Sequence, residues 1–251
     1  MRVSVVDFLN ARPLVWGLLK NPPAGWEVSR DLPSVCAAKL SDGRADVGLI
    51  PSIEFERIPG LVRIDGLGIA ADSEVRSVLL VANVSREKIR TLKLDPASRT
   101  SAVLVRMILK RRYGVVPRIV EPGDAEVPDA ELLIGDPALK TRLQGKVVLD
   151  LAAEWKSLTG YPFVFAFWAA RRERWREEDA DVLRRSYESS RPDFDAMVEA
   201  EVATAREAGA DGFSREVVAD YLRHSLHYEL TEADARGFEL FAGWAREDGF
   251  L

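Results

Sequence analysis

Cysteine and histidine are scarce in this chain. The 251-residue sequence has one cysteine, Cys36, and two histidines, His224 and His227. A single cysteine excludes an intrachain disulfide, and a disulfide-poor chain suits a reducing compartment. Cys36 lies in the apolar run PSVCAAKL, which favours a small buried side chain over a reactive thiol. The histidines are placed i, i+3 on a predicted C-terminal helix without an evident third ligand, so we expect no metal site.

An excess of positive charge and a long apolar run are also missing. The sequence has 35 Lys and Arg against 40 Asp and Glu, a formal net charge of −5. We expect no nucleic-acid or membrane partner, because both require a basic surface. No apolar run approaches the ~20 residues of a membrane helix, and Asp7 interrupts the first apolar segment before a secretory signal can form. The sequence therefore predicts a cytoplasmic protein, and it leaves open whether that protein is a monomer or a homodimer.

Short apolar runs alternate with helical patterns along the first two thirds of the chain, and the last third is helical in pattern. This alternation is typical of an α/β fold with a largely parallel sheet. Segments at 82–90 and 166–173 could cross between two lobes and form a hinge that closes on a ligand. We therefore predict lobe one at residues 1–85 plus 170–251, including the C-terminal helices, and lobe two at residues 86–169.

Residues that directly follow the predicted strands are candidates for a ligand site, because open α/β sheets bind ligands beyond the carboxyl ends of their strands. Asn10 follows the first strand and offers both a donor and an acceptor. The other positions collect small hydroxyls, one arginine and no histidine. The substrate-binding candidates are Ser52, Ser98, Arg99, Thr100, Ser101, Gly135 and Asp136.

The segment SRTS at residues 98–101 is the most informative of these positions. Three hydroxyls and an arginine stand where a well-patterned helix begins, and the free N–H groups and the dipole of a helix start favour an anion. The dipole contributes roughly 0.3–1 kcal/mol, and a charge-assisted hydrogen bond adds about 1.5–3 kcal/mol. The alternative is an ordinary helix start, with Ser98 as N-cap and Arg99 in solvent.

Structural roles compete with ligand binding at the other candidates as well. Asn10 could be a turn residue. Ser52 and Ser77 could bond nearby backbone at strand ends. Asp136 could cap a short helix that begins at Pro137.

Six segments of the sequence, in order across about residues 5–168, resemble one known family. The segments are DFLNARPL, ADVGLIPS, VRSVLL, DPASRTS, IGDPAL and WKSLTGYPFVFAFW. Together they resemble the chorismate dehydratases, the first enzymes of the futalosine route to menaquinone. The C-terminal helical third fits in length but carries no motif of its own.

The resemblance implies a two-lobed fold like that of the type II periplasmic binding proteins, with an interlobe cleft. It implies a carbon–oxygen lyase that removes water from chorismate to give 3-[(1-carboxyvinyl)oxy]benzoate, without a metal or organic cofactor. It assigns Asn10 and Ser77 to catalysis and the Ser98–Ser101 helix start to the substrate. It also implies that the substrate's own enolpyruvyl carboxylate takes the proton, which fits a pocket poor in bases.

Two alternatives share this architecture. A non-catalytic protein that binds small carboxylates would have the same lobes, but it would normally be exported. The sister enzyme that makes 1,4-dihydroxy-6-naphthoate is expected to use a pocket histidine, and here both histidines fall in the C-terminal third.

Overall fold

The computed structural model describes residues 1–121, 123–124, 126–140, 145–207 and 213–251. The strands are β1 Arg2–Val6, β2 Glu27–Asp31, β3 Val47–Pro51, β4 Leu61–Ala71, β5 Val78–Ala82, β6 Thr91–Lys93, β7 Arg118–Val120, β8 Ala130–Ile134, β9 Val147–Asp150, β10 Phe163–Arg171 and β11 His227–Glu229. The α-helices are α1 Arg12–Lys20, α2 Pro33–Ser41, α3 Ser52–Arg57, α4 Thr100–Tyr113, α5 Asp136–Lys140, α6 Leu151–Thr159, α7 Ala180–Ser190, α8 Phe194–Glu207, α9 Arg215–Asp220 and α10 Glu232–Glu247. Short 3₁₀ turns cover Leu9–Ala11, Arg86–Lys88 and Glu177–Asp179, and a π-helical turn covers Tyr221–Ser225.

The strands form two sheets, and both are mixed rather than largely parallel. The six-stranded sheet has the order β11-β4-β10-β3-β1-β2, and the five-stranded sheet has the order β7-β6-β8-β5-β9. Parallel pairs occur where helices connect the strands, as in β1 with β2 and β3. The antiparallel pairs involve the strands next to the crossings between the sheets, namely β4, β5 and β10. At these strands the chain passes from one sheet to the other, so they do not belong to the repeated strand–helix–strand units that make neighbouring strands parallel.

Both crossings lie earlier in the chain than predicted. Strand β5 already pairs in the five-stranded sheet, and β10 pairs along its whole length in the six-stranded sheet. The chain therefore crosses at 72–77 and at 160–162, not at 82–90 and 166–173. The crossings differ from the predicted positions because an apolar run identifies a buried strand but does not say which sheet pairs with it. That the two sheets mark separate domains stays a prediction.

Aromatic packing joins the last helix, α10, to α6 and to strand β10 of the six-stranded sheet. The Trp155 ring of α6 meets the rings of Phe163, Phe241 and Trp244 edge-on, with centroids 5.4–6.0 Å apart. Such pairs contribute about 0.5–1.5 kcal/mol beyond their burial. Since Phe163 lies on β10 and the latter two on α10, the C-terminal helix is an integral part of the core.

The single cysteine and the two histidines lie outside the set of predicted site residues and belong to the packed elements of the fold. Cys36 is buried, and burial raises the pKa of its thiol to about 12, so it stays an unreactive thiol near neutral pH. The histidines do not share a helix as predicted, because the π-helical turn holds His224 and strand β11 holds His227. His227 Nε2 lies 2.8 Å from Asp234 Oδ1. Among the helices of the described ranges, none is long and apolar enough to cross a membrane.

Candidate active site

A cavity lies between the two sheets, at the carboxyl ends of several strands. It encloses about 500 Å³ of atom-free space, including its open side. The six-stranded sheet contributes ends or neighbours of β1, β3, β4 and β10, and the five-stranded sheet contributes β5, β8 and the start of α4. The predicted residues that line it are Asn10, Ser98, Arg99, Thr100, Ser101 and Gly135.

The SRTS segment forms the start of α4, although its cap differs from the expected one. Arg99 holds the N-cap position without a side-chain cap bond, and Thr100 is the first helical residue. The Ser98 hydroxyl accepts from the Ala102 N–H at 3.1 Å. Ser98 therefore supplies the acceptor for an N–H of the first turn, although it lies one residue before the N-cap Arg99. Within the described residues, no acceptor is found for the N–H groups of Thr100 and Ser101. These groups and the exposed Arg99 make the helix start a place where an anion would bind.

Thr100 and Ser101 differ in what their hydroxyls do. Thr100 Oγ1 accepts from the Ile53 N–H at 3.2 Å and lies 3.4 Å from Ser52 Oγ. Ser52 Oγ donates to the Val164 carbonyl at 2.8 Å and is fully buried outside the cavity lining. The Ser52 and Thr100 hydroxyls therefore tie the two sheets together. The Ser101 hydroxyl lines the cavity and has no bond to the described part of the chain, so it is available to a ligand.

Asn10 lines the cavity and carries an unsatisfied acceptor. It lies in the 3₁₀ turn after β1, and its Oδ1 is buried without a partner in the described residues. Leaving a buried polar atom unpaired costs about 1–3 kcal/mol. A turn asparagine would be expected to bond nearby backbone, so the orphaned Oδ1 favours the ligand role.

Gly135 and Asp136 take different positions. Gly135 has a φ of +63°, and a Cβ there would lie 3.2 Å from Phe8 Cδ2 across the cavity, so glycine is required for both backbone and space. Asp136 lies outside the cavity lining, and its Oδ1 accepts from the Leu9 N–H at 3.2 Å. Its carboxylate joins the two sheets and would repel a substrate carboxylate, so the structure favours a structural role for Asp136.

Ser77 also lies outside the cavity lining and is fully buried. Its neighbour Val78 does line the cavity. The carbonyl of Ser77 accepts from the N–H of Gly135, another lining residue, at 2.7 Å. Its hydroxyl accepts from the Tyr221 phenol at 2.7 Å. Ser77 therefore belongs to the layer immediately around the cavity, and its catalytic assignment stays a prediction.

Sequence reasoning missed the apolar walls of the site. Phe8 and Phe165 line the cavity together with Pro33 and Pro51. Phe8 lies two residues after the end of β1, where polar residues alone were considered. Phe165 lies in β10, a strand whose apolar run reads as buried on both faces. Within the described residues, the lining includes no aspartate, glutamate, histidine or lysine.

Two sheets, crossed twice by the chain and holding a cavity between them, define a protein of the periplasmic-binding-protein-like class. The chain is similar to protein AF1704 from Archaeoglobus fulgidus, with a TM-score of 0.80 and 15% identity over 100% of this chain and 98% of that one. It is also similar to the periplasmic aliphatic sulphonate binding protein SsuA from Escherichia coli, with a TM-score of 0.66 and 17% identity over 100% of this chain and 93% of that one. At these identities the likeness establishes the fold.

The sequence places the chain more narrowly. Residues 1–247 match the family described as menaquinone biosynthesis, and the chain belongs to that family. It is 35% identical over 167 residues to a chorismate dehydratase of Campylobacter jejuni, which covers 64% of this chain and 63% of that relative. It is 27% identical over 245 residues to a chorismate dehydratase of Thermus thermophilus, which covers 87% of this chain and 86% of that relative.

Proposed function

We propose that this protein is a chorismate dehydratase, a carbon–oxygen lyase that converts chorismate into 3-[(1-carboxyvinyl)oxy]benzoate and water. The observation that carries the proposal is a cavity that offers an anion site at the start of α4 and, among its described lining residues, no carboxylate, histidine or lysine that could take up a proton. The relatives named chorismate dehydratase and the family of menaquinone biosynthesis support it. The cytoplasmic location expected from the sequence stays a prediction.

Chorismate fits this arrangement because it carries two carboxylates and contains its own base. One carboxylate binds the N–H groups of Thr100 and Ser101, the Ser101 hydroxyl and the Arg99 guanidinium. The other, on the enolpyruvyl group, takes the proton from the ring carbon that bears the ether. The electrons of that C–H bond form the third ring double bond, and the neighbouring hydroxyl leaves as water after taking up a proton. Aromaticity of the product drives the step.

The protein's contribution in this proposal is positioning and exclusion of water. Phe8 and Phe165 hold the ring between apolar walls. Asn10 Oδ1 accepts from the substrate hydroxyl and orients it for departure, which would satisfy the atom that is orphaned in the free site. An amide does this without repelling either carboxylate.

The direct test is incubation of the purified protein with chorismate, following chorismate loss and the aromatic product by chromatography and mass spectrometry. We expect one product molecule for each chorismate consumed. The matched control is Asn10→Asp, which nearly keeps the shape of the side chain but adds a negative charge beside a dianionic substrate. Tight binding of chorismate without turnover would contradict the proposal and favour a non-catalytic binding protein.

A further inference from the structure

The C-terminal third reaches the layer around the cavity through one side chain. The Tyr221 hydroxyl donates to Ser77 Oγ at 2.7 Å, across a sequence separation of 144 residues. Both residues are buried, with 1% and 0% of their surfaces exposed. A hydrogen bond between two buried hydroxyls is shielded from water and fixes both rotamers.

The segment that carries Ser77 is held in a costly conformation. Arg76 has a φ of +62°, in a region that non-glycine residues rarely adopt. Its N–H donates to Asp150 Oδ2 at 2.6 Å, and its guanidinium donates to Ser225 Oγ at 2.8 Å. Backbone strain of about 1–3 kcal/mol persists only where the surroundings impose it. The contacts of Arg76 therefore hold the neighbouring Ser77 in place against this strain.

Tyr221 itself begins the π-helical turn, a rare geometry that is frequent at functional sites. The Arg76 guanidinium lies 5.9 Å from the centre of its ring, and the same guanidinium pairs with Asp220 at 2.8 Å. Arg76 thus contacts the segment that carries Tyr221. Arg76 is also the residue directly before Ser77 in the chain. The geometry of the Tyr221–Ser77 pair is fixed from both sides.

Ser77 links the Tyr221 hydrogen bond to the cavity wall. The Tyr221 phenol donates to Ser77 Oγ, and burial raises the pKa of the phenol, so the phenol keeps its proton. The nearest part of the cavity wall is formed by Val78 and Gly135, which adjoin Ser77 by chain and by hydrogen bond.

We propose that Tyr221 is a positioning residue for Ser77: its phenol fixes the serine side chain and, through the serine, the adjoining cavity wall of Val78 and Gly135 against which the substrate is held. This inference rests on the proposed dehydration of chorismate. It gives the C-terminal helices a role in the reaction beyond their part in the core. Tyr221 acts through Ser77 and does not touch the substrate.

The test is a double-mutant cycle with Tyr221→Phe, Ser77→Ala and the double variant. The control is Tyr228→Phe, because Tyr228 is also a buried tyrosine but its hydroxyl has no partner among the described residues. Single-turnover rates and KM are measured with chorismate, and each rate is divided by the fraction of protein that binds product. Partial unfolding of a variant then cannot imitate a slower reaction.

We expect Tyr221→Phe to lower the single-turnover rate about ten- to a hundredfold, the effect of a misplaced reacting group, with KM changed less than the rate. In the Ser77→Ala background it should change the rate by no more than about twofold, and Tyr228→Phe should match the wild type. Independent effects that multiply in the double variant would overturn the positioning role while the proposed function stands. A wild-type protein that leaves chorismate unchanged would overturn both.

Discussion

The Ser101 and Thr100 hydroxyls allow ligand binding and sheet-to-sheet contact to be separated at adjacent residues. Ser101→Ala removes a hydroxyl that lines the cavity and has no bond to the described part of the chain. Thr100→Val keeps the shape of the side chain but removes the oxygen that accepts from the Ile53 N–H at 3.2 Å. The first change acts on the ligand, and the second acts on the contact between α3 and α4.

Ser101→Ala should mainly lower the affinity for product, and Thr100→Val should mainly lower the stability of the fold. A hydrogen bond to a charged group contributes about 1.5–3 kcal/mol, so Ser101→Ala should weaken product binding roughly ten- to a hundredfold. Its melting temperature should stay near that of the wild type. Thr100→Val leaves the Ile53 N–H buried and unpaired, which costs about 1–3 kcal/mol of unfolding free energy. Its product affinity should fall less than that of Ser101→Ala.

Titration calorimetry with 3-[(1-carboxyvinyl)oxy]benzoate measures the affinities, and urea unfolding measures the stabilities. Ser98→Ala is an informative third variant, because its hydroxyl supports the first turn of α4 through the Ala102 N–H. Wild-type affinity in Ser101→Ala would refute the anion site at this helix start. Wild-type stability in Thr100→Val would refute the interpretation of its hydroxyl as a tie between the sheets.

Four further outcomes follow from the same geometry. Asn10→Ala removes a buried orphan acceptor, so its melting temperature should be unchanged or higher, while turnover should fall about a hundredfold because the substrate hydroxyl is no longer oriented; a destabilised variant with normal turnover would contradict this. Gly135→Ala forces a left-handed φ of +63° on a side chain that meets Phe8, and should lower the unfolding free energy by at least about 1–2 kcal/mol, as measured in urea. The pKa of Asp234 is lowered because hydrogen bonds from His227 and Thr231 outweigh the upward effect of burial. Its carboxylate therefore stabilises the fold above about pH 3.9 and stops doing so as the pH falls through the folded pKa; the stability deficit of Asp234→Asn should be full at neutral pH and shrink in acid. Dehydration of chorismate should persist in a chelator, and loss of activity that zinc restores would disprove a cofactor-free reaction.

Some elements of the site could be predicted because their signals are local. The DPASRTS segment combines hydroxyls with the start of an amphipathic pattern, and the structure begins α4 at Thr100. Asn10 follows the first apolar run and lies at the carboxyl end of β1. Gly135 likewise follows a strand. In each case a few neighbouring residues determine the strand end, the turn or the helix start, so the sequence contains the information.

Other elements could not be predicted, because they depend on residues far apart in the chain. Whether Ser52 and Thr100 face a ligand or each other depends on how closely α3 and α4 approach. The sheet that receives β5 depends on hydrogen-bond pairing, which a buried apolar run does not specify. The sequence does not distinguish Ser77 from any other serine beside a strand, because its hydrogen-bond partner Tyr221 is 144 residues away in the chain.

The sequence by itself determined the α/β class, the helix start at SRTS that we propose as the anion site, the scarcity of histidine and the resemblance to the family. These features depend on composition and on patterns a few residues long. The tertiary structure decided the positions of the crossings, the separate roles of Thr100 and Ser101, and the contact between Tyr221 and Ser77. The physical reason is that burial and hydrogen bonding between distant segments are set when the sheets and helices pack. A hydroxyl can be assigned to the fold or to a ligand only when its partners are known.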